Sequence, residues 1–83
     1  MRSDYYVYQH VRKDNGEIFY IGKGCNDRAF SKANRSNWWK RIVEKSGGYE
    51  VTFIAKDVDE EFAFLVEIER IDQLRKIGAN ICN

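Results

Sequence analysis

Two phenols, a guanidinium and a carboxylate stand out in this chain for the chemistry their types can support: Tyr8 in the run Tyr6-Val7-Tyr8, Tyr20 in Tyr20-Ile21-Gly22, Arg28, and Glu67. On a helical projection of about 100° per residue, Glu67 falls between Ala63, Ile71 and Leu74 in an otherwise apolar sector, whereas Glu69 falls beside Asp72, Gln73 and Lys76. A carboxylate aimed inward from an apolar stripe is costly to desolvate unless it meets a cation, a metal or hydrogen-bond donors. Glu67 is therefore either a binding group or a boundary glutamate paired with an arginine. Charge points the same way. Lys23, Arg28, Lys32, Arg35, Lys40, Arg41 and Lys45, against only Asp27 and Glu44, give that segment a net +5, and the stretch from Asp57 to Asp72 is acidic. Such an asymmetry can present one basic face to a phosphate backbone while the chain carries only +1 overall; a solvated basic helix has the same pattern.

These residues need elements to hold them. Tyr5 to Arg12 and Glu17 to Gly22 are rich in aromatic and β-branched residues and flank Asp14-Asn15-Gly16, which predicts a β-hairpin. A two-residue Asn-Gly loop would pair Val11 with Tyr20; a three-residue loop with Gly16 as a left-handed bulge residue pairs His10 with Tyr20. The second register gathers Val7, Val11, Phe19 and Ile21 on one apolar face and Tyr6, Tyr8, His10 and Tyr20 on the other, and is the one expected. Asn26 to Ala33 reads as a short helix or helical turn, and Ser36 to Lys45 as a second helix stopped by Gly47-Gly48. Tyr49 to Lys56 alternates as a third strand. Asp57 with Glu60 resembles a capping box opening a long helix that runs to about Ile77, with Gly78 as its stop signal. The order β-β-α-α-β-α predicts an α+β domain, a three-stranded antiparallel sheet flanked by helices. Adjacent tryptophans on a helix diverge by about 100°, so one of Trp38 and Trp39 should enter the core and the other lie at its edge. Phe62, Phe64, Leu65 and Ile68 are expected in the core.

At 83 residues, with 43% hydrophobic and 33% charged residues, the chain has room for one domain with a single core and is too apolar for a disordered tail. Cys25 and Cys82 lack both zinc-site spacing and the density of a disulfide framework, which favours a reducing, cytoplasmic setting. The amino terminus lacks the apolar run of a signal peptide, and no stretch approaches the roughly 20 apolar residues of a membrane span.

Taken in order, these pieces resemble the GIY-YIG endonucleases over nearly the whole chain. Tyr6-Val7-Tyr8 stands where the first motif falls, with Tyr6 in place of its glycine. Phe19-Tyr20-Ile21-Gly22-Lys23-Gly24 contains the second, Arg28 follows at suitable spacing, Glu67 with Ile71 matches the glutamate helix, and Ile81-Cys82-Asn83 resembles the terminal asparagine motif. Some relatives carry a histidine after the first helix, where this chain has Arg35, Asn37 or Trp38.

The resemblance implies hydrolysis of a DNA phosphodiester with one divalent cation. In that picture Glu67 holds Mg²⁺ or Mn²⁺, hard ions that take oxygen ligands and keep several waters. Tyr8 is the general base, with Lys23 and Arg28 as the cations that tune it. Arg28 also offers paired donors to the phosphate, Tyr20 orients the water or a phosphate oxygen, and Asn83 holds a phosphate oxygen or braces the site. His10 is a donor behind Tyr8 or merely a cross-strand partner of Tyr20. Arg35, Lys40 and Arg41 are the expected DNA contacts, and a homodimer or an accessory DNA-recognition partner is a further expectation. Two other readings compete: a DNA-binding module that does not cut, and a single-strand-binding sheet that stacks bases on Tyr6, Tyr8, His10 and Tyr20.

Overall fold

The computed structural model describes residues 2–83 and has strands β1 (Tyr5–Arg12), β2 (Ile18–Gly24) and β3 (Tyr49–Val58) and helices α1 (Asn37–Ser46) and α2 (Glu60–Lys76). The expected first helix is a single 3₁₀ turn, Arg28–Phe30, lying between β2 and α1. The α+β class is as expected: one antiparallel sheet in the order β2-β1-β3, with two helices. No helix among the described residues is long and apolar enough to cross a membrane, and Cys25 and Cys82 are free thiols.

The hairpin turns where the glycine allows it. The Gly16 N–H bonds the Arg12 carbonyl at 2.9 Å, the Arg12 N–H bonds the Glu17 carbonyl at 2.8 Å, and Gly16 sits in the left-handed region at φ +73°, which glycine occupies without strain. His10 does pair with Tyr20, but Val11 pairs with Ile18, so Phe19 is an extra residue on β2. Such a bulge reverses the inward–outward alternation on its two sides. Ile18 consequently joins Val7 and Ile21, and Phe19 turns to the opposite face, with its ring 6.0 Å from His10 and 6.3 Å from Trp39. This corrects the expectation that Phe19 shares a face with Val7.

The sheet therefore carries two different cores. On one face Val7 and Ile21 pack with Ala63, Leu74 and Ile81, an aliphatic cluster that binds α2 to the sheet; full burial of each larger side chain contributes about 1.5–3 kcal/mol. The other face is aromatic and centred on His10, which has no exposed surface and lies 4.6 Å from Tyr49, 5.0 Å from Tyr8 and 5.7 Å from Trp39, centroid to centroid. Trp39 is buried and Trp38 exposed, the division that their 100° divergence requires.

Helix ends follow side-chain chemistry. Ser36 caps α1 by accepting the Trp39 N–H at 3.1 Å, and Gly47 ends it at φ +78°, where a left-handed residue satisfies the last carbonyls. For α2 the cap is Asp59, accepting the Phe62 N–H at 2.8 Å. Asp57, expected to play that part, is instead within β3 at φ +57°, between the Tyr5–Val58 and Val7–Ala55 pairs where the register shifts. Gly78 follows α2 at φ +79°, as its stop signal suggests. The larger correction concerns α2 itself. Phe62, Phe64, Leu65 and Ile68, expected in the core, are about half exposed, because apolar residues surround this helix and the sheet covers only the side bearing Ala63 and Leu74.

His10 links the aromatic face to the 3₁₀ turn. Its Nδ1 accepts the Trp39 indole N–H at 3.0 Å, so the proton of the neutral ring sits on Nε2 and is donated to the Ala29 carbonyl at 2.7 Å. Tyr6 holds the same residue from the other side: its hydroxyl accepts the Ala29 N–H at 2.9 Å and donates to the Asn26 carbonyl at 2.8 Å. Both backbone groups of Ala29 are thus tied to β1.

Burial, opposed by the Ala29 hydrogen bond and assisted by the positive charges of Arg35 and Arg28, lowers the His10 pKa from 6.5 to about 4. The unfolded chain then takes up the proton first, so His10 costs stability as pH falls from 6.5 towards 4 and contributes no further change below that. Urea unfolding of the wild type and of His10→Gln across this window should show the wild type losing up to on the order of 3 kcal/mol more than the variant. Parallel pH dependences would remove His10 from this role.

Candidate active site

The aromatic face of β1 and β2 is brought to a point by two glycines. A β-carbon on Gly22 would overlap the Tyr8 phenol, and one on Gly24 would lie 2.7 Å from Cβ and Cγ of Arg28. Tyr8 and Arg28 therefore lie flat over alternate residues of β2, and the glycines leave the space. The Tyr20 ring stands 6.2 Å from that of Tyr8.

Arg35 occupies the centre. Only 7% exposed, it donates from Nη1 to the Tyr8 oxygen at 3.1 Å, from Nε to the Ser31 carbonyl at 3.0 Å and from Nη2 to the Arg28 carbonyl at 2.9 Å. Its guanidinium carbon lies 5.2 Å from the Tyr20 ring centroid, 5.4 Å from Trp39 and 5.8 Å from Tyr8. Among the described residues no carboxylate pairs with it. A buried cation held by carbonyls and ring faces keeps its full charge, and two of its five N–H groups remain free. Expected as a DNA contact, it is buried, with its guanidinium on the Tyr8 oxygen.

The other expected residues divide into those that converge and those that do not. Glu67 is half-buried on α2, and burial raises its pKa above the usual 4.5 while the Lys23 charge and the Lys23 backbone N–H oppose that rise. Tyr20 connects the two sides of the site: burial, Tyr8 and Glu67 push its phenol above 10 while Arg35 and Arg28 pull it down. Net elevation keeps Tyr20 protonated, a donor rather than a base. Arg28 gives Nη1 to the Ala33 carbonyl at 3.2 Å. Asn83 uses its amide on Ile21, accepting that N–H at 2.9 Å and donating to its carbonyl at 2.6 Å, so it braces β2. Lys23 turns its ammonium to Glu60 at 3.1 Å, 5.7 Å from the Tyr5 ring centroid. His10 is sealed in the core. Lys40 and Arg41 are exposed on α1.

A groove of about 320 Å³ opens onto Tyr20 and Arg35 and is lined also by Asn34, Ser36, Trp39, Cys82 and Asn83; Tyr8, Arg28 and Glu67 are not part of its lining. It lies at the amino end of α1, where backbone N–H groups favour an anion. Tyr8 and His10 are 1% and 0% exposed, so two of the four rings required for base stacking on the sheet are out of reach. That counts against the single-strand-binding reading.

Among the described residues no three His, Cys, Asp or Glu side chains cluster as a metal cage. Glu67 offers carboxylate oxygens, the donor type that hard ions such as Mg²⁺ and Mn²⁺ take.

Because Tyr8 fills the space above Gly22, Gly22→Ala must displace the phenol. The variant should lose about 1–3 kcal/mol of stability by denaturant unfolding, as expected of overpacking, and the Tyr8–Arg35 contact with it. A Gly22→Ala protein of wild-type stability would show that Tyr8 is not fixed there.

Comparison with protein-family models, with curated proteins and with solved structures finds no match to the chain.

Proposed function

We propose that the chain is a metal-dependent DNA endonuclease of the GIY-YIG type. The observation that carries this reading is the buried guanidinium of Arg35: it has no acidic partner among the described residues, two free N–H groups, and a place between two phenols beside an open groove. A phosphate diester supplies the missing anion with oxygens that match the planar donors.

In the proposed mechanism Arg35 and Arg28 bind the scissile phosphate and stabilise the charge that builds on it in the transition state. Drawing Arg35 towards the phosphate takes its Nη1 off the Tyr8 oxygen and uncovers that phenol. Tyr8, acting as its phenolate after giving its own proton to solvent, then accepts a proton from the attacking water as the new P–O bond forms, the ester P–O bond opposite breaks and the departing oxygen takes a proton from solvent. Tyr20, kept protonated, donates to the water or to a phosphate oxygen. Glu67 is the carboxylate that would hold Mg²⁺ or Mn²⁺, whose contribution is to stabilise negative charge on the phosphoryl and departing oxygens. Asn83 acts at one remove by fixing β2 beneath Tyr20. Exposed Lys40 and Arg41 supply charge to the flanking backbone.

Supercoiled plasmid incubated with the protein and Mg²⁺ or Mn²⁺ should be nicked, and Glu67→Gln, Tyr8→Phe and Arg35→Lys should each lose at least about 10²-fold in rate, the order seen when one transition-state contact is removed. Since burial raises the Glu67 pKa, its ionised form is lost at higher pH than in a free glutamate, and Glu67→Gln should raise the melting temperature at neutral pH while abolishing cleavage. Equal nicking by wild type and Glu67→Gln would sink the assignment. Tight DNA binding by wild type without cleavage would select the non-cutting alternative.

A further inference from the structure

The outward side of α2 is the most apolar surface left uncovered. Phe62, Phe64, Leu65 and Ile68 are 50%, 47%, 57% and 48% exposed. With an aromatic side chain burying on the order of 150–250 Å², they leave roughly 350–400 Å² of apolar area on one helix, in the range that marks an interaction site. Along the centre of that side run Glu61, Leu65, Ile68, Asp72 and Arg75, spaced four, three, four and three residues apart, the period with which one helix packs along another. Phe62 and Phe64 flank this line.

We infer that this surface is a self-association seam in which α2 packs antiparallel against α2 of a second copy about a two-fold axis at Ile68. Charge fixes the direction. The first turn of α2 carries Glu60 and Glu61 and the last carries Arg75 and Lys76. Parallel pairing would set like charges together at both ends, whereas antiparallel pairing sets Glu61 against Arg75 of the second copy at one end and repeats the contact at the other. Such an isologous arrangement closes on itself as a dimer. Two apolar patches with their charged rims reach only the lower end of specific interface areas, about 1,200 Å², so the dimer is in micromolar exchange with the monomer. Glu67 lies two residues, about 200°, from Leu65 on the helix, so both candidate sites face away from the seam. The inference stands without the nuclease reading.

Sedimentation velocity of the 83-residue chain from roughly 1 to 300 µM should show the 9.8 kDa species giving way to one of twice that mass. Ile68→Lys replaces a half-exposed side chain, and the variant should stay monomeric at every concentration with an unchanged circular dichroism spectrum. Glu61→Arg should raise the midpoint concentration about tenfold, the effect of losing two exposed ion pairs, and adding Arg75→Glu to the same chain should restore it. A wild type that remains monomeric throughout overturns the inference, whatever other molecule covers the face. So does a dimer that Ile68→Lys leaves intact, or one that Glu61→Arg weakens and the double exchange fails to rescue.

Discussion

Everything on the aromatic side of the sheet depends on how one short turn is fastened to one strand. Ala29 gives its N–H to Tyr6 and its carbonyl to His10, and those two side chains come from β1, the central strand. Each neutral hydrogen bond contributes only about 1 kcal/mol net, but together they fix a segment that has almost no periodic structure of its own. Arg28 begins the turn, and its carbonyl and that of Ser31 then hold Arg35. Arg28, Ser31 and Arg35, none of them in a strand or α-helix, are therefore placed with the stiffness of the sheet. His10 can do this only as a neutral ring with a defined tautomer, and the Trp39 indole sets that tautomer.

The site's electrostatics follow from what is absent around Arg35. A guanidinium facing a carboxylate is neutralised before a substrate arrives; here the neighbours are carbonyls, a phenol and ring faces, which solvate the cation without cancelling it. The one carboxylate that Tyr20 senses belongs to Glu67, on the other helix and partly buried. Positive and negative charge are kept on separate elements, with a protonated phenol between them.

Much of this was legible from sequence wherever a regular period carries the information. Glu67 emerged from its angular position between Ala63 and Leu74, and the His10–Tyr20 pairing from the need to keep two side-chain sets on separate faces. Irregular backbone defeated the same reasoning. The Phe19 bulge exchanged Ile18 and Phe19 between faces, which no alternation pattern encodes. Arg35 looked like one of seven surface cations because its burial is created by carbonyls of a loop whose path depends on Tyr6 and His10, far away in the chain. Tyr6 itself looked like a tolerated departure from a glycine, whereas its hydroxyl anchors the turn. Asp57 and Asp59 both satisfy the local requirements of a cap, and only the strand pairing of β3 decides between them. For α2 the Ala63–Leu74 side does meet the sheet, but Phe62, Phe64, Leu65 and Ile68 read equally as core although the sheet does not cover them.

The outward edge of β2 is occupied from three directions: the Cys82 N–H on the Phe19 carbonyl, the Asn83 amide on both backbone groups of Ile21, and the Glu67 carboxylate near the Lys23 N–H. An edge strand so occupied cannot template pairing with another chain. During synthesis, however, β2 emerges long before any of those partners, and a nascent polypeptide short of Asn83 displays an open, aromatic-rich ladder edge. Translation to the last of these residues thus closes the edge and removes a nucleus for misassembly, so a ribosome stalled upstream leaves a product prone to stick to its neighbours.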